Sequence, residues 1–196
     1  MTLSYLDTKG RVMGACSDES LFERHLSGDQ TALPELMERY HEPLTLYING
    51  YLHDLDAAED VTISAFARML IKRPRLREGG FKPYLYQVGR RLALRQLRDR
   101  SHFLSLDDLQ VEPQETRQVE QRVLATESNQ ALYRALASIP TACREALYLV
   151  YLEGMSYDDA GAVLRKTRKQ VDNLVQSGKR ALRPLLEAEG VHGAFE

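Results

Sequence analysis

The chain has 196 residues, of which 43% are hydrophobic and 28% are charged, so it can bury one or two small cores. It contains no stretch of roughly 18 consecutive apolar residues, the length that a membrane-spanning helix requires. Residues 1–18 have neither the basic nor the apolar segment of a secretory signal. These features argue against membrane insertion and secretion, and we expect a cytoplasmic protein.

The sequence contains no recognisable catalytic or metal-binding motif. Cys16 and Cys143 form no CxxC pair, and the five histidines are scattered without the spacing of a zinc site. The chain has neither a GxSxG nucleophile motif nor a glycine-rich phosphate loop. We therefore expect reduced thiols, no metal, no cofactor and no catalytic constellation.

The net charge of −2 conceals two strongly basic segments. Residues 68–100 hold 11 Lys and Arg against 2 Asp and Glu, and residues 165–183 hold 7 against 1. Unpaired like charges on one surface repel each other, so a polyanionic ligand explains these segments better than solvated helix faces do. The charge distribution predicts that both segments bind nucleic acid.

Helical spacing predicts one domain of three or four helices up to residue 100. Apolar residues recur every three or four positions from Leu33 to Tyr51, which is typical of helices. Asp56 is the expected N-cap of the next helix, and the break around Pro74 ends it. Pro83 suits the first turn of the last helix. The inward face of that helix is predicted as Leu85, Val88 and Leu92, and its other faces carry Arg90, Arg91, Arg95 and Arg98.

An acidic segment separates this domain from a second helical region. Residues 101–118 contain Pro113 and lack helical spacing, which predicts a flexible linker. Thr141 is the expected cap of a later helix that ends at Gly154. The apolar face of that helix is predicted as Cys143, Leu147, Val150 and Tyr151.

The segment after Gly154 predicts a helix-turn-helix. Ser156 with Asp159, and Thr167 with Gln170, are capping boxes whose first residues lie only eleven positions apart. The second helix should bury Val171, Leu174, Gly178, Ala181 and Leu185. Its opposite face carries cations and amides suited to phosphates and base edges, namely Arg168, Lys169, Gln170, Asp172, Asn173, Gln176, Lys179 and Arg180. An ordinary helical hairpin with a solvated outer face is the alternative.

Three pieces of the sequence carry a family resemblance. They are "DLDAAEDVTISAFARML" (Asp54 to Leu70), "FKPYLYQVGRRLALRQLRDR" (Phe81 to Arg100) and "ALASIPTACREALYLVYLEGMSYDDAGAVL". In their order and spacing they resemble a bacterial sigma factor of the sigma-70 family. The resemblance is to the small extracytoplasmic-function (ECF) group, which keeps only regions 2 and 4. Leu-Glu-Gly followed by Met-Ser-Tyr is the most specific piece.

Several positions depart from the family pattern and indicate a divergent branch. Ile63 and Ser64 replace a common Gln-Glu pair, and Tyr84 stands where Trp is often found. Arg91 and Arg95 replace the common Asn and Asp of the promoter-melting helix. In region 4 the departures are Ala160 and Gly161 in place of Ile-Ala, and Leu174 and Ser177 where Arg is frequent.

The resemblance implies an all-α protein with two small helical domains, a sigma region 2 bundle and a region 4 helix-turn-helix, joined by the flexible acidic linker. The expected boundaries are an N-terminal extension at 1–19, region 2 at 20–100, the linker at 101–118, region 4 at 119–187 with its helix-turn-helix at about 156–182, and a tail at 188–196. It further implies a protein that is not an enzyme. The implied partners are RNA polymerase core, promoter DNA and an anti-sigma factor.

The resemblance also implies three sets of site residues. The set for polymerase core is Asp56, Glu59, Asp60, Phe66 and Arg68, although an acidic start also suits a helix N-terminus. The set for the minus-ten element is Tyr84, Tyr86, Arg90, Arg91, Arg95 and Arg98, with the tyrosines stacking on an unpaired base. The set for the minus-thirty-five element is the outer face of the second helix of the helix-turn-helix, from Arg168 to Arg180 as named above.

Two other classes of function fit parts of the sequence. A stand-alone helix-turn-helix regulator would bind operators without polymerase and would use residues 1–100 for sensing or dimerisation. A helical adaptor would bind no DNA and would leave the segregated cations without a purpose. Binding to RNA polymerase core, followed by promoter-directed transcription, distinguishes the three classes.

Overall fold

The computed structural model describes residues 16–104, 135–136 and 138–188. Among these residues seven α-helices and one short π-helix have defined bounds, residues 135–136 are also helical, and no strand occurs, which confirms the all-α prediction. The linker predicted at 101–118 lies outside the described residues from position 105 onward. Most of the predicted N-terminal extension and the predicted tail from position 189 also lie outside them.

The first helical module contains four helices around one core. They are α1 (Asp18–Leu26), α2 (Ala32–Leu52), α3 (Leu55–Lys72) and α4 (Phe81–Leu104). Their fully buried side chains include Leu21, Leu36, Leu44, Ile48, Phe81 and Leu85. Val88 is buried as predicted and Leu92 is half-buried. Helix α4 therefore fixes the orientation of the arginines on its remaining faces.

The predicted cap of α3 is wrong by two residues. The N-cap is Asp54, whose extended backbone lets Oδ1 accept a 3.0 Å hydrogen bond from the backbone N–H of Ala57. Asp56 instead lies in the first turn, where its negative charge interacts favourably with the helix dipole but its side chain does not cap the helix. The prediction for Thr141 is also wrong, because Thr141 is the first helical residue and the preceding Pro140 makes no side-chain cap.

The second module begins with α5 (Thr141–Leu147), which continues directly into the π-helix Tyr148–Leu152. The wider turn of the π-helix is marked by a bond between residues five apart: the backbone N–H of Glu153 donates to the carbonyl of Tyr148 at 3.0 Å. This turn shifts the apolar face from the predicted Val150 and Tyr151 to Tyr148 and Leu149, so Tyr151 is 45% exposed. Gly154 follows with φ of +64°, as a glycine after a helix C-terminus commonly does.

Side-chain caps at Ser156 and Thr167 start the helices of the helix-turn-helix, α6 (Tyr157–Leu164) and α7 (Arg168–Ala188). The backbone N–H of Asp159 donates to Ser156 Oγ at 3.1 Å. The backbone N–H of Thr167 donates to Gln170 Oε1 at 2.9 Å, and that of Gln170 donates to Thr167 Oγ1 at 3.3 Å. Both predicted helix starts are confirmed.

The buried stripe of α7 begins as predicted but then follows different residues. Val171 and Gly178 are in it, and the other members are Val175, Leu182 and Leu186 in place of Leu174, Ala181 and Leu185. Steps of four and three residues keep this stripe in phase with the helical period of 3.6. Leu174, Ala181 and Leu185 are half-buried at its margin.

The two modules contact each other, chiefly through α4 of the first and α6 of the second. The ring of Tyr47 on α2 lies 5.5 Å from that of Tyr148, measured between centroids. None of the described helices combines the length and the apolarity that crossing a bilayer requires. Within the same residues no cluster of three or more potential metal ligands occurs.

Candidate nucleic-acid interface

The predicted polymerase-binding residues are not all accessible on α3. Asp56 and Asp60 are exposed, while Glu59 and Arg68 are half-buried. Phe66 is buried in the core of the first module. In this arrangement of helices Phe66 offers no surface to a partner, and its side chain supports the fold.

Two isoleucines extend the exposed face of α3 that begins with Asp56 and Asp60. Ile63 is 52% exposed and Ile71 is 79% exposed. Their spacing places all four side chains along one side of the helix, which we name the α3 surface. Apolar side chains exposed in a row suit a protein partner. The exposure of both isoleucines could have been predicted from the sequence, because they are out of phase with the buried Val61, Ala65 and Met69.

Three of the arginines predicted to meet DNA form one exposed row on α4. Arg91, Arg95 and Arg98 are spaced by four and three residues, and all three are exposed. Arg95 Nε lies 3.7 Å from Asp99 Oδ2, and an ion pair so open to solvent contributes little. This arginine stripe can present guanidinium groups to the phosphates of a strand lying along α4.

The remaining residues predicted for the minus-ten element face the second module instead. Tyr86 is fully buried, and burial together with nearby Glu153 raises the pKa of its hydroxyl, so the phenol stays neutral. Arg90 Nη2 lies 3.2 Å from Glu145 Oε2, and Tyr84 is half-buried. In this arrangement Tyr86 has no exposed face on which a base can stack.

Helix α7 presents the outer face that its sequence predicts. Six of the eight predicted residues are exposed, and Asp172 and Lys179 are half-buried. We name this set the recognition face; its exposed members are Arg168, Lys169, Gln170, Asn173, Gln176 and Arg180. Cations and amides thus lie together on a helix that begins immediately after a turn, the geometry by which such helices enter the major groove.

Several members of the recognition face also make contacts within the protein. Lys169 Nζ lies 3.4 Å from Asp172 Oδ2, and Arg168 Nη1 lies 3.0 Å from Asp158 Oδ2. Lys179 Nζ lies 4.6 Å from the ring centroid of Tyr151, a cation–π contact. These contacts hold the cations near the start and middle of α7.

The same two modules match two models of one protein family. Residues 36–103 match sigma-70 region 2, and residues 129–182 match sigma-70 region 4. The chain belongs to the sigma-70 family of RNA polymerase sigma factors. It therefore serves the initiation of transcription at promoters, and sigma factors as a class are not enzymes.

Relatives of this sigma factor place it in the ECF group. It is 29% identical to the ECF RNA polymerase sigma factor SigE of Mycolicibacterium smegmatis over 82% of this chain and 65% of that protein. It is 26% identical to the RNA polymerase sigma-H factor of Pseudomonas aeruginosa over 86% of this chain and 95% of that protein. Identity to the ECF RNA polymerase sigma-E factor of Escherichia coli is also 26%, over 82% and 95%.

Two solved structures of similar fold are complexes of two proteins. The sigma factor RpoE with the anti-sigma factor NepR from Bartonella quintana superposes with a TM-score of 0.67 at 20% identity, over 79% of this chain and 96% of that one. CnrH with the cytosolic domain of CnrY gives 0.58 at 22%, over 87% and 97%. At these identities the likeness concerns the fold alone.

Proposed function

We propose that this sigma factor binds RNA polymerase core through the α3 surface and engages promoter DNA through α4 and α7. The observation that carries the proposal is the separation of three surfaces of different chemistry. The α3 surface is acidic and apolar, whereas the arginine stripe and the recognition face are cationic and lie on different modules. A factor that joins polymerase to two promoter elements needs such a separation.

Each DNA-binding surface has a distinct role in this proposal. The arginine stripe neutralises phosphates at the minus-ten element, which adds affinity without reading sequence. Tyr84, which is half-buried, supplies a ring that can stack on an unpaired base where the second module leaves it uncovered. On the recognition face the amides of Gln170, Asn173 and Gln176 read base edges of the minus-thirty-five element.

The proposal includes an anti-sigma factor as a protein partner and the cytoplasm as the site of action. One of the two similar structures is a sigma factor in complex with an anti-sigma factor, which supports a like partner here. A factor that acts on polymerase and DNA needs access to both, which supports the cytoplasm as its site of action. The chain itself catalyses no reaction in this proposal.

Pull-down with purified RNA polymerase core, followed by promoter-directed transcription in vitro, tests the proposed function. We expect stable binding to core and initiation from a cognate promoter. A stand-alone regulator would bind DNA without retaining core, and a helical adaptor would direct no transcription. Failure to bind core would contradict the proposal.

The variant Asp60→Arg tests the role of the α3 surface. It reverses a charge at an exposed position, so we expect weaker binding to core with an unchanged thermal unfolding curve. Glu23→Arg makes the same charge change on the exposed side of α1, away from the α3 surface, and should leave core binding as it is. Normal holoenzyme assembly by Asp60→Arg would show that core binds elsewhere.

A further inference from the structure

The contact between the two modules has a consistent arrangement of charge. The first module supplies the cations and the second supplies the carboxylates. Lys82 Nζ lies 2.9 Å from Glu153 Oε2, Arg90 Nη2 lies 3.2 Å from Glu145 Oε2, and Arg77 Nη2 lies 2.9 Å from Asp159 Oδ1. We name Glu145, Glu153 and Asp159 the acidic patch of the second module.

Two of these ion pairs are withdrawn from solvent. The side chains of Glu145 and Glu153 are each 8% exposed, and those of Arg90 and Lys82 are 19% and 26% exposed. Lys82 Nζ also donates to the backbone carbonyl of Glu153 at 2.5 Å. A buried carboxylate depends strongly on its cation, because removing one partner leaves the other charged and poorly solvated. The third pair, from the 77% exposed Arg77, contributes much less.

Hydrogen bonds to uncharged carbonyl groups add specificity to the same interface. Gln87 Nε2 donates to the carbonyl of Ala162 at 2.9 Å. Across the other edge, Arg144 Nη2 donates to the carbonyl of Gly50 at 2.8 Å and the Tyr148 hydroxyl donates to that of Pro43 at 3.0 Å. Each requires one defined orientation of the modules, so the closed arrangement is a specific packing and not a diffuse charge attraction.

The acidic patch contacts a row of α4 that runs through Lys82, Tyr86 and Arg90, on a different side of the helix from the arginine stripe. Lys82, Arg90 and the rings of Tyr84 and Tyr86 lie on the covered side, while Arg91, Arg95 and Arg98 remain exposed. Carboxylates occupy the positions in which phosphates would meet Lys82 and Arg90. A nucleic-acid strand and the second module therefore cannot occupy this side of α4 at the same time.

We propose that the second module inhibits the first from within the chain, its acidic patch competing with DNA for the cationic side of α4. The proposal rests on the proposed function, in which α4 binds the minus-ten element. The closed chain must open before α4 can bind a DNA strand fully. The recognition face of α7 stays exposed in the closed form. The protein can therefore bind the minus-thirty-five element before opening, whereas the covered side of α4 can bind DNA only after opening.

Neutralising the two buried carboxylates tests this competition in the full chain. The variant Glu145→Gln with Glu153→Gln should increase the radius of gyration measured by small-angle X-ray scattering. It should also bind a fluorescein-labelled, 20-nucleotide single-stranded DNA of mixed sequence more tightly. If the closed form prevails by about nine to one, opening raises the apparent affinity by at most about tenfold, because the cations that stay exposed let the closed form bind weakly. The control variant, Glu23→Gln with Glu187→Gln, removes the same number of negative charges at exposed sites. The change in net charge alone should alter its affinity for the DNA less than about twofold.

A charge exchange provides a second test that does not depend on the glutamine variants folding. Glu153→Lys places two cations together, so it should extend the chain. Adding Lys82→Glu should restore the ion pair with its polarity reversed and make the chain compact again. Recovery of compactness in the exchanged pair would show that this contact holds the modules together in solution.

The outcomes separate this inference from the proposed function. An extended parent chain, or glutamine and charge-exchange variants that leave the radius of gyration unchanged, would overturn the inference. An opened variant with unchanged affinity for the DNA would also overturn it, provided that the Arg91, Arg95 and Arg98 reversal described below still weakens binding. If that reversal has no effect either, the assignment of α4 to DNA binding is wrong, and the proposed inhibition is wrong as well.

Discussion

Gly161 is a single residue on which the turn of the helix-turn-helix depends. A Cβ added there would lie 2.6 Å from the backbone oxygen of Lys166. That backbone is held in place, because the N–H of Lys166 donates to the carbonyl of Gly161 at 2.9 Å. The family resemblance gives Ala at this position, so its replacement by Gly fits the close approach of the turn in this chain.

We expect Gly161→Ala to lower the free energy of unfolding by about 1–3 kcal/mol, as overpacking commonly does. Urea denaturation followed by circular dichroism measures the change. Gly50→Ala is the control, because a Cβ at Gly50 meets nothing within 4 Å. In that helical position alanine should raise stability by about 0.5–1 kcal/mol. Stabilisation by both substitutions would contradict the proposed clash.

Asp172 is the one acidic residue among the cations of the recognition face. Its carboxylate pairs with Lys169 at 3.4 Å and also lies near the N-terminus of α7, where the helix dipole favours it. Phosphates in a groove would repel it, whereas a cytosine amino group could donate a hydrogen bond to it. It is therefore either a structural partner of Lys169 or a filter of promoter sequence.

Asp172→Asn should distinguish these two roles. If Asp172 filters sequence, the variant should bind unrelated DNA more tightly and lose discrimination of about 1–3 kcal/mol at one base pair, the usual range for one base contact. Selection from randomised minus-thirty-five sequences with holoenzyme measures this preference. The same selected motif for variant and parent would show that Asp172 acts only within the helix.

At the scale of the elements, Asp54 is the residue that starts α3. Asp54 Oδ1 caps the backbone N–H of Ala57, and Asp54 Oδ2 lies 3.0 Å from Arg100 Nη2. Asp54 therefore joins the start of α3 to the end of α4. We expect Asp54→Ala to cost about 1 kcal/mol of folding free energy, the usual cost of a lost N-cap. Asp56→Ala, two residues later in the first turn, is the matched control and should cost less. Equal losses in thermal unfolding would show that charge near the helix end matters more than capping.

The cap also predicts a pH dependence of stability. The backbone N–H of Ala57, followed by Arg100, lowers the pKa of Asp54 from its usual 3.8. A carboxyl with a lowered folded pKa stabilises the protein fully above the unfolded value and loses that stabilisation as the pH falls through the folded value. The difference in stability between the parent and Asp54→Ala should therefore be constant above about pH 5 and shrink below pH 3.8. A difference that does not shrink at all as the pH falls below 3.8 would contradict this cause.

Local patterns in the sequence predicted the helices better than their edges. The capping boxes at Ser156 and Thr167 were found correctly because each requires only two side chains three residues apart. The choice between Asp54 and Asp56 was wrong because both precede an apolar run, and the backbone angles that distinguish them are absent from a sequence. The apolar face before Gly154 was misplaced because the hydrophobic period of an α-helix does not hold through a π-helix.

At the scale of the whole molecule, the arginine stripe should act on all promoters alike. Reversing Arg91, Arg95 and Arg98 to Glu should weaken promoter opening by holoenzyme whatever the promoter sequence, because phosphate contacts carry no sequence information. The slope of log affinity against log salt should fall by about 0.9 for each phosphate of duplex DNA that the variant no longer neutralises. Permanganate footprinting and salt-dependent binding on several promoters measure both effects.

The control for this prediction reverses three cations of the same basic segment. Lys72, Arg73 and Arg75 are exposed at and beyond the end of α3 and are not part of the arginine stripe. Their reversal changes the net charge equally and should leave the salt slope nearly as it was. A similar loss from both triple variants would indicate a general effect of charge and would contradict a specific role for the arginine stripe.

The contact between the modules is the part of the molecule that no sequence pattern predicted. Glu145 and Glu153 lie in or next to an apolar helical run, where each could equally be a solvated residue. Their partners, Arg90 and Lys82, are separated from them by 55 and 71 positions. Only the packing of α4 against the second module pairs them, so the burial of Tyr86 and the half-burial of Arg90 also follow from tertiary structure.

The π-helix Tyr148–Leu152 contains one residue more than an α-helical path with the same ends, so it is equivalent to an insertion. Deleting one residue would rotate the following chain by about 100° and draw it back by about 1.5 Å. Glu153 would then point away from Lys82. The length of this short segment, more than its composition, should therefore mark which relatives share the charged contact. An alignment gap of one position here would be a sign that the two modules separate more readily.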